Sequence, residues 1–143
     1  MIVSALGRGN SVRADGLFTR ASAAVLVAAA QTGVSRLVWL SSFGVGHTFD
    51  WSSATRKLIY TTLLRSLYAD KAIADDGIRS SGLDWTVVLP TKLTNGPAKG
   101  TFLADDRLPM KGAPSISRAD VAAFMLRAAH GDEWIHRSPV ITG

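Results

Sequence analysis

The 143-residue chain contains no cysteine, and this absence excludes structural disulfides, thiolate catalysis and zinc sites with cysteine ligands. Long apolar runs are also lacking, because the longest unbroken one, Ala23 to Ala30, is far too short to span a bilayer. The N-terminus shows no basic stretch followed by an apolar one, the pattern of a secretory signal. We therefore expect a soluble, cytoplasmic protein with no membrane partner.

Basic residues are not concentrated into a pattern typical of nucleic-acid binding. Sixteen Lys and Arg residues against eleven Asp and Glu residues give a net charge of +5, but the cations are spread along the chain without a recognition module. The three histidines, His47, His130 and His136, lack the spacing of metal ligands. We expect no nucleic-acid partner and no metal, whereas the positive charge is compatible with phosphorylated small molecules.

What the sequence does contain is a regular alternation of strand and helix patterns. Short apolar runs predict strands at Ile2–Leu6, Arg36–Leu40, Trp85–Leu89 and Val140–Ile141. Helical patterns cover Leu17–Thr32, Ser52–Ser81 and Ser117–Ala129. This alternation predicts one α/β domain over residues 1–143, with a parallel sheet that binds ligands at the carboxyl ends of its strands.

Single residues predict where these helices begin and end. Gly33 follows the first helix as its C-terminal cap, and Gly82 ends the second helix. Ser117 is the predicted N-cap of the third helix, with Asp120 three residues later as in a capping box. The stretch between Pro90 and Ser117 is rich in Gly and Pro, and we expect it to be mostly loop.

The opening stretch imitates a loop that binds the pyrophosphate of a dinucleotide. Gly7 and Gly9 follow the first predicted strand, but the pattern G-x-G-x-x-G requires a third glycine where Val12 stands. The variant G-x-x-G-x-x-G requires glycines where Asn10 and Arg13 stand. The sequence therefore does not predict a pyrophosphate loop here.

Four segments carry a resemblance to a known family: "VSALG", "RLVWLSSFGVG", "YADKAIADDGIRSSGLDWTVVLPTKLT" and "SISRADVAAFMLRAA". Together they resemble the atypical short-chain dehydrogenase/reductases, in particular the branch with the NmrA-like proteins and biliverdin reductase B, a flavin reductase. The resemblance implies a Rossmann-like open parallel sheet that binds NADP or NAD, with NADP slightly favoured. It also implies that "VSALG" is the fourth strand of the family fold, so that the first three strands and the glycine-rich loop are absent from this chain.

The resemblance further implies a set of site residues. The catalytic candidates are Ser42 and Lys71. The residues implied to bind the cofactor lie at the ends of three strands: Ala5, Leu6 and Gly7; Ser41, Ser42 and Phe43; Pro90, Thr91, Lys92 and Leu93. From the residues alone, Ser42 either holds a substrate oxygen or satisfies a turn, and Lys71 either binds the cofactor or pairs with a neighbouring carboxylate.

The chain departs from the Tyr-x-x-x-Lys motif of typical family members. Leu67 occupies the tyrosine position relative to Lys71, and Tyr68 is displaced by one residue, which rotates it by about 100° around a helix. We interpret Tyr68 as a packing residue. A hydrolase built from Ser42, His47 and Asp50 is not supported, because neither Ser41 nor Ser42 stands in a G-x-S-x-G motif.

The resemblance implies an NAD(P)H-dependent oxidoreductase that transfers hydride to a small conjugated or aromatic substrate such as a flavin or quinone. It leaves open whether this chain is active alone, and the alternative is a non-catalytic nucleotide-sensing or protein-interaction module. Without the preceding strands of the family sheet, the strand Ile2–Leu6 would present an open edge. We therefore expect a homodimer or a partner chain to cover that edge.

Overall fold

The computed structural model of the protein describes residues 1–7, 13, 15–45, 48, 64–110 and 112–143. These described residues fall into two compact units, one within the ranges 1–5, 35–43 and 83–143 and the other within the ranges 6–34 and 44–82. The first unit contains β1 (Ile2–Ser4), β2 (Arg36–Leu40), β3 (Asp84–Pro90), β4 (Lys92–Thr94), β5 (Leu103–Asp105), β6 (Ser115–Ser117), α3 (Arg118–His130) and β7 (Val140–Thr142). The second contains α1 (Leu17–Thr32) and α2 (Arg65–Arg79).

The first unit is organised around a five-stranded sheet with the order β1-β2-β3-β7-β5. In this sheet β1, β2, β3 and β7 are parallel to one another, and β5 is antiparallel to β7. The central strands β2 and β3 read RLVWL and DWTVVLP and are mostly buried, as expected for strands that are apolar on both faces. The predicted α/β class with a mainly parallel sheet is confirmed.

Helix α3 packs against this sheet and closes the hydrophobic core of the first unit. The core cluster combines residues of α3, such as Phe124 and Met125, with Val38, Val88 and Ile141 of the strands. The helix begins after Ser117, whose hydroxyl accepts a hydrogen bond from the backbone N–H of Asp120 at 3.0 Å. The predicted N-cap is therefore confirmed.

The stretch between β3 and α3 contains more regular structure than the sequence predicts. Strands β4 and β6 pair in parallel as a separate two-stranded sheet, with Leu93 opposite Ile116. Strand β5 joins the main sheet at its edge. The expectation of a loop is wrong at eight residues of these strands, all except the N-cap Ser117. Strands of three residues form by pairing with distant partners and carry no periodicity of their own.

In the second unit, α1 has the predicted bounds and ends at Gly33, which adopts a left-handed φ of 68° and donates its N–H to Ala29. Helix α2 confirms the later part of the predicted helix, whereas residues 52–63 lie outside the described residues. It ends at Arg79, two residues earlier than predicted, because Ser80 and Ser81 close a turn onto the carbonyls of Asp76 and Ile78.

Two further features differ from the simplest interpretation of the sequence. Ile73 of α2 is 60% exposed, although it is a large apolar residue. Strand β1 ends at Ser4, so Ala5 and Leu6 follow it rather than belong to it. In the part of the chain that the structure describes, no helix has the length and apolar character needed to cross a bilayer.

Candidate functional site

The carboxyl ends of β1, β2, β3 and β7 lie along one edge of the main sheet, because these four strands are parallel. Ligands of open α/β sheets bind outside this edge. We call it the carboxyl edge and define it by these residues: Ala5, Ser41, Ser42, Phe43, Pro90, Thr91, Lys92, Leu93 and Thr142. All except Thr142 are predicted site residues.

The segment Ser41–Phe43 continues the ladder between β2 and β3 beyond the last strand residue. Ser41 donates its backbone N–H to Val88 at 2.8 Å, and Phe43 donates its own to Pro90 at 3.0 Å. Ser41 and Phe43 are buried, whereas Ser42 between them is only half-buried. Ser42 is thus the residue of this segment with the largest exposed fraction.

Thr91 is fastened to β7 at the end of β3. Its backbone N–H donates to Ile141 at 3.1 Å, and its hydroxyl lies 3.0 Å from that of Thr142. Because Thr91 is buried and already paired, it holds the ends of two strands together. The sequence does not predict the role of Thr142, because no local pattern connects it with Thr91, which lies 51 positions away.

Lys92 and Leu93 are neighbours that differ in exposure. Lys92 opens β4 with an exposed side chain, whereas Leu93 is half-buried and packs against the core cluster. Pro90 is buried beside Ile141. Among these predicted cofactor contacts, Lys92 therefore brings an exposed cation to the carboxyl edge, and Leu93 anchors the strand that carries it.

Leu6, Gly7 and Lys71 are predicted site residues that belong to the second unit. Leu6 is half-buried and Gly7 is exposed, and a Cβ added at Gly7 would meet no atom within 4 Å. Close packing therefore does not require glycine at position 7. The following residues, Arg8 and Gly9, lie outside the described part of the chain.

Among the lysines that the structure describes, Lys71 has the pKa that departs most from its ordinary value. Its Nζ lies 4.8 Å from the centre of the Phe18 ring. Burial lowers the pKa of Lys71 from 10.5 to about 8, and the nearby carboxylate of Asp75 opposes this decrease. Because a lysine with such a pKa exchanges a proton near neutral pH, Lys71 can act as a proton donor or acceptor as well as a cation.

Comparisons with known proteins identify an NAD(P)H-binding family. Residues 1–132 match the family model described as NAD(P)H-binding. Among curated proteins, an uncharacterised sugar epimerase, YhfK, from Bacillus subtilis (strain 168) is 31% identical over 105 residues, which are 73% of this chain and 44% of that protein.

Solved structures share the fold. A protein from Bacillus halodurans, provisionally described as an NAD-dependent epimerase/dehydratase, superposes with a TM-score of 0.80 at 24% identity, over 99% of this chain and 63% of its own. A short-chain dehydrogenase/reductase from Veillonella parvula DSM 2008 in complex with NADP gives 0.73 at 20% identity, over 93% and 60%. A protein from Streptococcus pneumoniae TIGR4, provisionally described as an NADH-flavin reductase, gives 0.74 at 16% identity, over 98% and 70%. The chain thus spans less than two thirds of the length of YhfK and of the Bacillus halodurans protein.

Proposed function

The chain belongs to the NAD(P)H-binding family, and from this premise we propose that it acts in a reductase that transfers hydride from NADPH to a small conjugated or aromatic acceptor such as a flavin or quinone. The observation that carries the proposal is the family match over 132 residues. The Streptococcus pneumoniae structure supports the acceptor class by its description, and the NADP complex from Veillonella parvula supports the choice of NADP. Such a reductase draws on the cytoplasmic pool of reduced cofactor, and we propose that it acts in that compartment.

The residues of the carboxyl edge fit a nicotinamide cofactor chemically. When bound, the cofactor supplies the hydride, and the protein has to bind and orient the reactants. The hydroxyl of half-buried Ser42 can donate a hydrogen bond to a carboxamide oxygen or to a carbonyl of the acceptor. The exposed ammonium of Lys92 can pair with a phosphate of the cofactor or a negative group of the acceptor.

In the second unit, Lys71 supports the same chemistry independently. Reduction of a flavin or quinone consumes a proton as well as a hydride. An amine with a pKa of about 8 carries that proton at neutral pH and can release it. We propose that Lys71 contacts the cofactor or supplies this proton.

The direct test combines a binding titration with a turnover assay. NADPH and NADH are titrated against the 143-residue chain by nucleotide fluorescence, and oxidation of each is then followed by absorbance with FMN or a soluble quinone. We expect tighter binding of NADPH and oxidation that depends on the acceptor. Binding without oxidation would favour a nucleotide-sensing module instead, and the absence of both would contradict the proposal. An epimerase reaction of the kind named for YhfK causes no net cofactor oxidation, so the same assay distinguishes it.

We also propose that the outer edge of β1 is covered by another polypeptide strand, in the simplest case from a second copy of this chain. Strand β1 is the end strand of the described sheet, and Met1 and Val3 are 55% and 47% exposed. The backbone groups of an edge strand are a template for further pairing. Sedimentation at micromolar concentration should show a dimer that Val3→Lys weakens, whereas Val27→Lys, at an exposed position of α1, should not. A monomeric wild-type chain would contradict the homodimer.

A further inference from the structure

The loop of residues 95–101 leaves directly from the carboxyl edge. It follows β4, which starts two residues after the end of β3, and all seven of its residues are exposed. The chain returns to the core at Phe102, whose ring meets that of Phe124 edge-on at 5.9 Å. The two ends of the loop are therefore held by β4 and by Phe102, and any contact that holds its exposed middle must come from another part of the chain.

The buried carboxylate of Asp120 provides this attachment. Asp120 is only 2% exposed, and its Oδ1 accepts the backbone N–H of Gly100 at 2.9 Å and that of Lys99 at 3.1 Å. Two successive amides converge on one carboxylate here because Gly100 adopts a left-handed φ of +71°, which creates a concave, anion-binding backbone. The hydrogen bonds from Gly100, Lys99 and the Ser117 hydroxyl hold the pKa of Asp120 below its usual value, so the carboxylate stays charged.

Helix capping alone does not explain these contacts. The N-cap of α3 is made by the Ser117 hydroxyl, which accepts the backbone N–H of Asp120. The Asp120 side chain additionally accepts the Ser117 hydroxyl at 2.7 Å and reaches a loop 20 positions earlier in the chain. The capping motif in the sequence thus also fastens a loop, and it is the loop that adjoins the carboxyl edge.

We propose that Asp120 is a positioning residue that holds the loop of residues 95–101 beside the carboxyl edge and thereby sets the affinity for the hydride acceptor. This inference rests on the proposed function. We assign the loop to binding of the acceptor rather than of the cofactor. The reason is that the loop is an exposed extension of β4, the strand that brings Lys92 to the carboxyl edge.

The attachment is tested without any activity measurement by amide hydrogen exchange. In the wild-type chain the amides of Lys99 and Gly100 should exchange slowly. Asp120→Asn should accelerate both at least tenfold, since the neutral amide group replaces one acceptor oxygen by a donor, whereas Asp132→Asn beyond the end of α3 should leave them unchanged. Equal protection in the wild-type chain and Asp120→Asn would overturn the inference.

A second variant covers the case in which Asp120→Asn does not fold. Gly100→Ala leaves Asp120 in place and meets no steric obstacle, but it disfavours the left-handed backbone that aims the two amides. Gly112→Ala is the matched control, because Gly112 has a similar φ of +62° and equally open space. Faster exchange at Lys99 and Gly100 is expected in the first variant only.

The effect on the acceptor is measured as the equilibrium Kd for FMN, by quenching of flavin fluorescence, beside the Kd for NADPH. Asp120→Asn and Gly100→Ala should raise the Kd for FMN at least fivefold and leave that for NADPH unchanged. Equal weakening of both, or no FMN binding by the wild-type chain, would overturn the inference. If FMN binds with the expected pattern but is not reduced, the proposed function fails while the role of Asp120 in flavin binding stands.

Discussion

Asp70 of α2 accepts a hydrogen bond at 2.9 Å from the backbone N–H of Phe18, a residue of the first turn of α1 that lies 52 positions earlier in the chain. The same carboxylate accepts the backbone N–H of Thr19 at 3.1 Å and also its hydroxyl. The residue before α1 is Gly16, which has no side chain to cap the helix. The second helix thus supplies the N-terminal cap of the first, where the helix dipole also favours a negative charge.

Asp70→Ala should lower the free energy of unfolding by about 0.5–2 kcal/mol, the range measured for loss of a helix N-cap. The variant leaves two amides of the first turn of α1 without their acceptor. Urea unfolding followed by circular dichroism measures the change. Asp76→Ala on the same helix is the control, because Asp76 is exposed and forms a surface ion pair with Arg79. Equal losses in the two variants would show that Asp70 is not a cap.

The contribution of Asp70 should disappear in acid. Burial raises the pKa of its carboxyl group, but the hydrogen bonds from Thr19 and Phe18 and the charge of Arg20 outweigh burial and hold it below 3.8. A carboxyl group whose pKa is lower in the folded state stabilises the fold above its unfolded value and loses this effect as pH falls through the folded value. The stability difference between the wild-type chain and Asp70→Asn should therefore be constant near neutral pH and shrink below pH 3.8. A difference that stays constant down to pH 2 would contradict this.

Lys71 should react with amine reagents at lower pH than an ordinary lysine. Competitive acetylation followed by mass spectrometry should give a midpoint near pH 8, because burial lowers its pKa to about that value. Asp75→Asn should move the midpoint lower, since the Asp75 carboxylate raises the pKa of Lys71. Asp76→Asn, at the exposed neighbouring position, should have little effect. A midpoint that rises in Asp75→Asn would contradict the assignment.

The elements that sequence reasoning predicts best are those with local signals. Helix α1 and strand β2 have the predicted bounds, because Gly33 ends the helix and a five-residue apolar run forms the strand. The carboxyl edge with Ser41–Phe43 and Thr91 also follows, since parallel strands bring their carboxyl ends together. In contrast, the hydrogen bonds from Phe18 to Asp70 and from Gly100 to Asp120 join residues that are far apart in the sequence. No local sequence pattern predicts them.

Ser42 distinguishes the two interpretations of the serine pair at the end of β2. If its hydroxyl holds the acceptor or the nicotinamide carboxamide, Ser42→Ala should lower kcat/KM for flavin reduction by about tenfold, corresponding to loss of one hydrogen bond of about 1.4 kcal/mol. Ser35→Ala is the matched control, since Ser35 precedes the amino end of the same strand and is exposed. Unchanged turnover in Ser42→Ala, together with a lowered unfolding midpoint, would instead identify a turn residue.

Arg36 should be irreplaceable by lysine, although it lies far from the carboxyl edge at the start of β2. Its guanidinium donates to the carbonyl of Asp84 at 2.6 Å, to the hydroxyl of Thr86 at 2.8 Å and to the carbonyl of Ala128, so that it ties the starts of two strands to the end of α3. Burial lowers the pKa of Arg36, and Asp84 and Asp132 oppose the decrease.

The planar fork of arginine reaches these three acceptors together, whereas a lysine ammonium concentrates its donors at one point. Arg36→Lys should therefore leave at least one of these acceptors unsatisfied and lower the free energy of unfolding by about 1–3 kcal/mol. Urea unfolding of Arg79→Lys provides the comparison, because Arg79 bonds an exposed carboxylate and its replacement should change stability by about 0.5 kcal/mol or less. If both substitutions had the same small effect, the guanidinium of Arg36 would be a solvated charge, and the join between α3 and the two strands would depend on apolar packing alone.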